Sequence, residues 1–477
     1  MWSRSPRRAS GAIAISACTF LFPFVDAPAV PGQQAPMIAQ RPAPPTDVVD
    51  SLITLALAAN PMVATAGARV DAALARVGPA GARPDPVLSA GIQNLPLGSE
   101  APMSVPAGTA PTHGPDPMTM RTIGLSQRFP FPGKLALQQR AAQRQVDAAK
   151  AMLLTARLDV ARQVRDAYYD VAFADQSLIL VARQRDVLAG IVRVTAARYT
   201  AGASAQRDVL AARVRAAQLG DQASELIERR RAALAVLNGL LNQKSDTPLG
   251  PASIPERVAA TAVADSASAI HFAAQSLGAR VANSPLLPLD SIQQLAIDNS
   301  PMLREHEARI AAQSARVALA EKATRPDFDV SVQYGQRNGL TDMLTAQVSI
   351  PIPIQHLRNQ DLDVAAARDE LVALHAEHQA QVNDLRARTA GLVSDLERDR
   401  TQLAIDVKAV LPQGQGMVSA ATAAYDAGRG DLVAVLDARS TLLNYEFEYA
   451  KSLTDFAKKL AELQEVAGSD VLQEAAP

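Results

Sequence analysis

Two segments 226 residues apart carry one pattern without a gap. The first reads Tyr199-Thr200-Ala201-Gly202, then Val209-Leu210-Ala211-Ala212-Arg213. The second reads Tyr425-Asp426-Ala427-Gly428, then Val435-Leu436-Asp437-Ala438-Arg439. Tyr, Ala, Gly, Val, Leu, Ala and Arg fall in register, so the chain is one structural unit written twice. A repeat this long constrains the fold more than any local propensity, because both copies must find equivalent surroundings.

Other anchors recur in the same order. Asn60-Pro61-Met62 returns as Ser300-Pro301-Met302, and Arg83-Pro84-Asp85 as Arg325-Pro326-Asp327. Phe129-Pro130-Phe131-Pro132 returns as Ile350-Pro351-Ile352-Pro353. Spacings between anchors differ by up to about 20 residues, so the halves differ by insertions and share a plan. The expected organisation is a first repeat over 48–243, a mixed connector over 244–287 and a second repeat over 288–466, with a tail over 467–477.

Periodicity gives each half the same contents. Apolar residues recur at helical spacing from Val48 to Val77, with a kink expected at Asn60-Pro61. The period then changes to two in Val87 to Asn94 and Thr122 to Phe129, and again in Phe328 to Gly335 and Leu344 to Ile350. Asn338-Gly339 marks a hairpin loop between the last two. These runs are close to the length of a tilted membrane-crossing strand, although an amphipathic hairpin in a soluble sheet has the same pattern. Lys134 to Tyr199 has no proline and a single glycine, Gly190. Such a helix is roughly 100 Å long and points to a coiled coil or helical repeat. Its counterpart, Leu357 to Tyr425, holds Pro412, Gly414 and Gly416, where a kink or short break is expected. Gly202 and Gly428 then turn the chain back into returning helices, Arg207 to Leu241 and Asp431 to Leu463.

The N-terminus, residues 1–29, has the form of a secretory signal: Arg4, Arg7 and Arg8, an apolar stretch from Ala12 to Val25, then Ala27-Pro28-Ala29. The only cysteine, Cys18, lies in Ile15-Ser16-Ala17-Cys18, which resembles a lipobox. Two readings follow, lipidation at Cys18 or removal of Cys18 with the signal, and the apolar Thr19 to Val25 favours the second. A proline-rich extended linker follows over 30–47. No later segment has the 18 or more uninterrupted apolar residues of a spanning helix, so any membrane crossing falls to strands.

Net charge of −1 gives no support for nucleic acid as a partner. Aromatics are only 4%, which suits long helices with small interface residues. No nucleophile–base constellation, phosphate loop or zinc-protease motif is present, so no enzyme and no cofactor are expected. His375 and His378 stand one helical turn apart without an evident third ligand, and Met103, His113, Met118 and Met120 gather in the first strand loop. Soft ligands in a loop suit copper or silver, but a charged helix face and a plain loop are the simpler readings, and no metal site is assigned.

Strand hairpins, long helices and doubled Tyr-x-Ala-Gly turn-backs resemble the TolC family of outer-membrane efflux proteins, over about residues 48–466. The run Ser126 to Lys134, at the strand-to-helix crossover, is similar to the heavy-metal and copper efflux branch. The resemblance implies a mainly α fold with a small β part: antiparallel helical hairpins forming a trimeric α-barrel, and four strands per protomer closing a 12-stranded β-barrel in the outer membrane of a Gram-negative bacterium. It implies a homotrimer in outer-membrane lipid, extending into the periplasm toward a periplasmic adaptor and an inner-membrane transporter of the resistance-nodulation-division type. The chain would then be a passive exit duct for heavy-metal cations. Ducts for organic drugs or type I protein secretion remain alternatives, as does a soluble periplasmic scaffold.

The same resemblance assigns roles. Asp437 lines the periplasmic aperture, where Ala434 replaces a second acid the family often has. Tyr425, Asp208 and Arg429 form the gate network, with Arg429 one position before the usual basic residue, a place taken here by Gly430. Gly202 and Gly428 are the adaptor-docking tips. The strand residues Leu88, Ile92, Val330, Val332 and Val348 face lipid.

Overall fold

A computed structural model describes residues 48–95, 119–263, 286–337, 340–352, 358–469 and 471–472. The signal, Cys18 and the linker lie outside the described residues, as do Met103, His113, Met118 and the Asn338-Gly339 loop.

The chain enters through α1 (Val48–Ala59) and α2 (Pro61–Gly81), bent by 48° where Pro61 cannot continue the α1 ladder. Asn60 caps α2 by accepting from the Met62 N–H at 2.8 Å. Its Nδ2 donates to the Leu240 carbonyl at 2.9 Å and pins the corner to the end of a distant helix. After strands β1 (Val87–Gln93) and β2 (Met120–Phe129) comes α3 (Lys134–Thr200), 67 residues long, and its return α4 (Gln206–Leu240). The short α5 (Glu256–Val263) belongs to the connector.

The second half repeats this order. It runs α6 (Leu289–Asn299), α7 (Pro301–Ala323), β3 (Phe328–Arg337), β4 (Met343–Ser349), α8 (Gln360–Ile405), α9 (Leu411–Asp426) and α10 (Leu432–Ala467). Ser300 caps α7, and Asn299 Nδ2 donates to the Ala467 carbonyl at 2.9 Å, as Asn60 does to Leu240. Each proline corner is therefore tied to the end of its own returning helix. The break expected near Pro412 is not a gap. A π-helical turn, Asp406–Val410, joins α8 to α9, because Pro412 has no N–H to offer the ordinary ladder and the chain widens by one residue.

Burial explains the bundle. Val160, Val164 and Val171 of α3 pack with Leu237 of α4, Leu396 and Leu403 of α8, and Phe456, Leu460 and Leu463 of α10. A second cluster lies toward the turn-backs, where Leu188 and Leu180 meet Ala212, Leu219, Leu432 and Leu436. Fully burying each such leucine contributes about 1.5–3 kcal/mol, so the two hairpins are held as one body well before the tips.

The sheet is antiparallel in the order β1-β2-β3-β4. Register places Leu88, Leu125, Val332 and Ala346 in one row, and Ala90, Ile123, Tyr334 and Leu344 in the next. Ser89, Gly124, Gln333 and Thr345 form a row on the opposite face. Leu88, Ile92, Val330, Val332 and Val348 thus share one face, with polar residues on the other. Phe129 and Phe328 end the apolar side as a stacked pair, ring centroids 5.2 Å apart.

Candidate functional site at the helical turn-backs

The tips lie at the far end of α3 from the sheet, and both are built by the same backbone device. Gly202 and Gly428 adopt left-handed conformations, φ +73° and +70°. Gly202 N–H donates to the Tyr199 carbonyl and Ala203 N–H to that of Arg198, at 2.9 and 2.8 Å. Gly428 and Arg429 N–H groups repeat this to Tyr425 and Ala424, both at 3.0 Å. These are Schellman caps, which satisfy the last carbonyls of a helix and require a residue tolerant of positive φ.

The side chains around the caps differ between copies. On α4, Asp208 is buried and accepts from Ser204 Oγ at 3.0 Å. Arg207 Nε lies 3.5 Å from its other oxygen, an ion contact without hydrogen-bond alignment. On the second tip Asp431 caps α10, accepting from Val433 N–H at 3.4 Å.

Beside the turn-backs, three ion pairs among the described residues join the first hairpin to the second. Arg198 on α3 meets Asp426 at 3.9 Å, and its guanidinium carbon lies 5.2 Å from the Tyr425 ring centroid. Arg207 on α4 meets Asp431 at 3.6 Å, and Arg215 meets Asp437 at 3.5 Å. In all three the arginine belongs to the first repeat and the aspartate to the second. Their repeat counterparts are uncharged: Ala424, Val433 and Thr441 for the arginines, Thr200, Ala205 and Ala211 for the aspartates. Each pair is substantially exposed, so each contributes well under about 1 kcal/mol and weakens with salt. A seam of this strength can part and reform.

Of the residues expected here, Asp437 is exposed on α10 and paired to Arg215. Tyr425 and Asp208 are at the tips, but no hydrogen bond within the chain links them, and Tyr425 instead supports Arg198. The Arg429 side chain is exposed and has no partner among the described residues. Gly430 explains why the basic residue is displaced: a Cβ there would sit 3.0 Å from the Ala424 carbonyl carbon and from Tyr425 N. Arg198, Arg207 and Arg215 escape a reading based on matching positions, since their signal is the charge that the two copies do not share. His375 is exposed and His378 half-buried on α8, and Met120 begins β2. Among the described residues no group of three or more His, Cys, Asp or Glu is placed to hold a metal ion.

Residues 52–243 and 292–469 match the family described as outer membrane efflux protein. The chain belongs to that family. This efflux protein is accordingly an outer-membrane channel that extends into the periplasm, a passive conduit and not an enzyme, and the soluble-scaffold alternative falls. It is 26% identical to the cobalt-zinc-cadmium resistance protein CzcC of Cupriavidus metallidurans, over 66% of this chain and 69% of that one. It is 28% identical to protein CyaE of Bordetella pertussis, over 74% of this chain and 69% of that one. Among solved structures, CusC, studied for folding and transmembrane channel formation, superimposes with a TM-score of 0.69 at 16% identity, covering 88% of this chain and 92% of its own.

Proposed function

We propose that three copies of this efflux protein close one channel, and that the channel is the exit duct of a tripartite pump for heavy-metal cations. The observation that carries the channel is the sheet: four strands, one apolar face, one polar face, and two unpaired edges. An open sheet of this kind leaves N–H and C=O groups unsatisfied in lipid, and closure by further copies removes both edges. With the apolar rows outward, Ser126, Gln333, Gln347 and the Arg128–Asp329 pair line a wet lumen.

The likeness to a cobalt-zinc-cadmium resistance protein supports metal ions as cargo. An adaptor docks on the Gly202 and Gly428 tips, and a proton-driven inner-membrane transporter supplies the energy. The exposed Arg–Asp seam with Tyr425, Asp208 and Arg429 is the gate, and Asp437 carries the aperture charge. Deleting the gene should sensitise the host to cobalt, zinc or cadmium, with restoration by the intact chain. Unchanged metal tolerance alongside new sensitivity to organic compounds would reject the metal cargo and keep the duct.

A further inference from the structure

The repeated Arg-Pro-Asp motif stands immediately before β1 in the first half and before β3 in the second. In the first copy the Pro84 carbonyl accepts from Gln127 Nε2 at 2.6 Å and Arg83 lies over the Phe129 ring, but only the second copy has its aspartate engaged among the described residues. Asp327 accepts from the Phe131 N–H at 2.9 Å and from Lys134 Nζ at 2.8 Å. Lys134 also donates to the Arg325 carbonyl at 2.7 Å. Asp327 therefore fastens the crossover by which β2 leaves the sheet and becomes α3. Asp85, its counterpart, is exposed and has no hydrogen bond or ion pair among the described residues.

The sheet order says where the missing partner lies. β3 has β2 on one side, and Asp327 reaches to that side. Advancing two strands round the sheet carries β2 onto β4 and β3 onto the β1 of a following copy. Directions agree: every neighbouring pair is antiparallel, so β4 and a following β1 are antiparallel as well. Both edge strands are exposed along their whole length. The run after β2, Phe129-Pro130-Phe131-Pro132, has its counterpart after β4 in Ile350-Pro351-Ile352-Pro353, so Ile352 corresponds to Phe131. Ile352 is 78% exposed, and its N–H makes no hydrogen bond among the described residues. Arg358 is the first Lys or Arg after β4 and stands just before α8, as Lys134 opens α3.

We propose that Asp85 of one copy clasps the β4–α8 crossover of a second copy, accepting from the Ile352 N–H and pairing with Arg358, as Asp327 does for β2–α3 within the chain. The duplication thus supplies one fastening used twice, once inside each protomer and once between protomers. The partner is a second copy of this chain, and the clasp rests on the closed-channel reading. A charge-assisted bond at the base of the barrel fixes register where edge strands alone could slip.

Cysteine cross-linking of the full chain in detergent tests it, because the described residues contain no cysteine. Co-expressed D85C and I352C single variants should give, on oxidation, a dimer that collapses on reduction. The D85C/I352C double variant should give a covalent trimer, while D327C/F131C links only within one chain. A native trimer that stays unlinked would overturn the clasp and leave the channel reading standing. A protein that is monomeric before and after oxidation would overturn both. As a second measure, Asp85→Lys should lower the temperature at which the trimer dissociates in SDS, and adding Arg358→Asp should restore it. Loss without restoration would remove Arg358 from the clasp.

Discussion

The guanidinium carbon of Arg198 lies 5.2 Å from the centroid of the Tyr425 ring, so the first hairpin rests a charge on the aromatic face offered by the second. The contact joins α3 to α9 next to both turn-backs, and Asp426 adds an ion contact to the same arginine at 3.9 Å. An exposed cation–π contact and an exposed ion pair together contribute about 1 kcal/mol. Arg198→Ala should therefore raise the open-channel population in planar bilayers by about fivefold, and high salt should act on the wild type in the same direction. Tyr425→Phe keeps the ring and should leave conductance unchanged. If Tyr425→Phe opens the channel as far as Arg198→Ala, the tyrosine hydroxyl, not the ring, holds the gate.

Asp437 and Arg215 share one exposed ion pair on facing helices. With Asp437→Ala, block of the reconstituted channel by multivalent cations should weaken, because the proposed aperture loses its carboxylates. Arg215→Ala should strengthen the block by releasing the same carboxylate. Equal block in wild type and both variants would show that cations do not meet these residues.

Glu465 on α10 is pushed up to about 7 by burial, which outweighs the attraction of Arg162 at 3.2 Å. That arginine is already committed to Asp159 and Asp166 at 2.7 and 3.0 Å. A carboxyl raised on folding binds more protons in the native state, so its contribution is fully present below the ordinary pKa of 4.5 and is lost as pH rises through about 7. At 1.36 kcal/mol per pKa unit the loss is about 3 kcal/mol at most. The thermal midpoint should fall between pH 5 and pH 8, and Glu465→Gln should flatten that slope. An identical slope in Glu465→Gln would assign the pH dependence elsewhere.

Gly428 has open space around its missing side chain, so a substitution there reports on backbone alone. At φ +70° Gly428→Ala should cost about 1 kcal/mol, read as faster amide exchange at the tip, with the global unfolding transition little changed. A drop in global stability of several kcal/mol would mean that the tips are part of the main cooperative unit.

The elements themselves were legible from the sequence. Periods of two and 3.6, the Asn60-Pro61 corner and the turn glycines place strands, helices and caps close to where the structure has them. Family likewise followed from residues, since the doubled Tyr-x-Ala-Gly pattern is local. The side-chain contacts at the tips were less legible. Tyr425, Asp208 and Arg429 were expected together from position, yet Tyr425 supports Arg198, Asp208 is held by Ser204, and Arg429 points free of both. Pro412 marks a disturbance in the sequence, but whether the missing N–H yields a break or a π-helical turn is visible only in the structure.

The duplication, the alternation of strand faces and the two helix reversals can be read along the chain, because each is encoded within a few residues by period, proline or glycine. Which charges meet depends on how distant helices pack. Arg198, Arg207 and Arg215 find Asp426, Asp431 and Asp437 across more than 200 residues of chain, through the packing of α3 and α4 against α9 and α10. The same holds at the other end, where Asp327 reaches Phe131 and Lys134 while its twin Asp85 has no partner among the described residues. Side-chain period is a property of one segment, whereas a charge pair is a property of two segments and of the space between them.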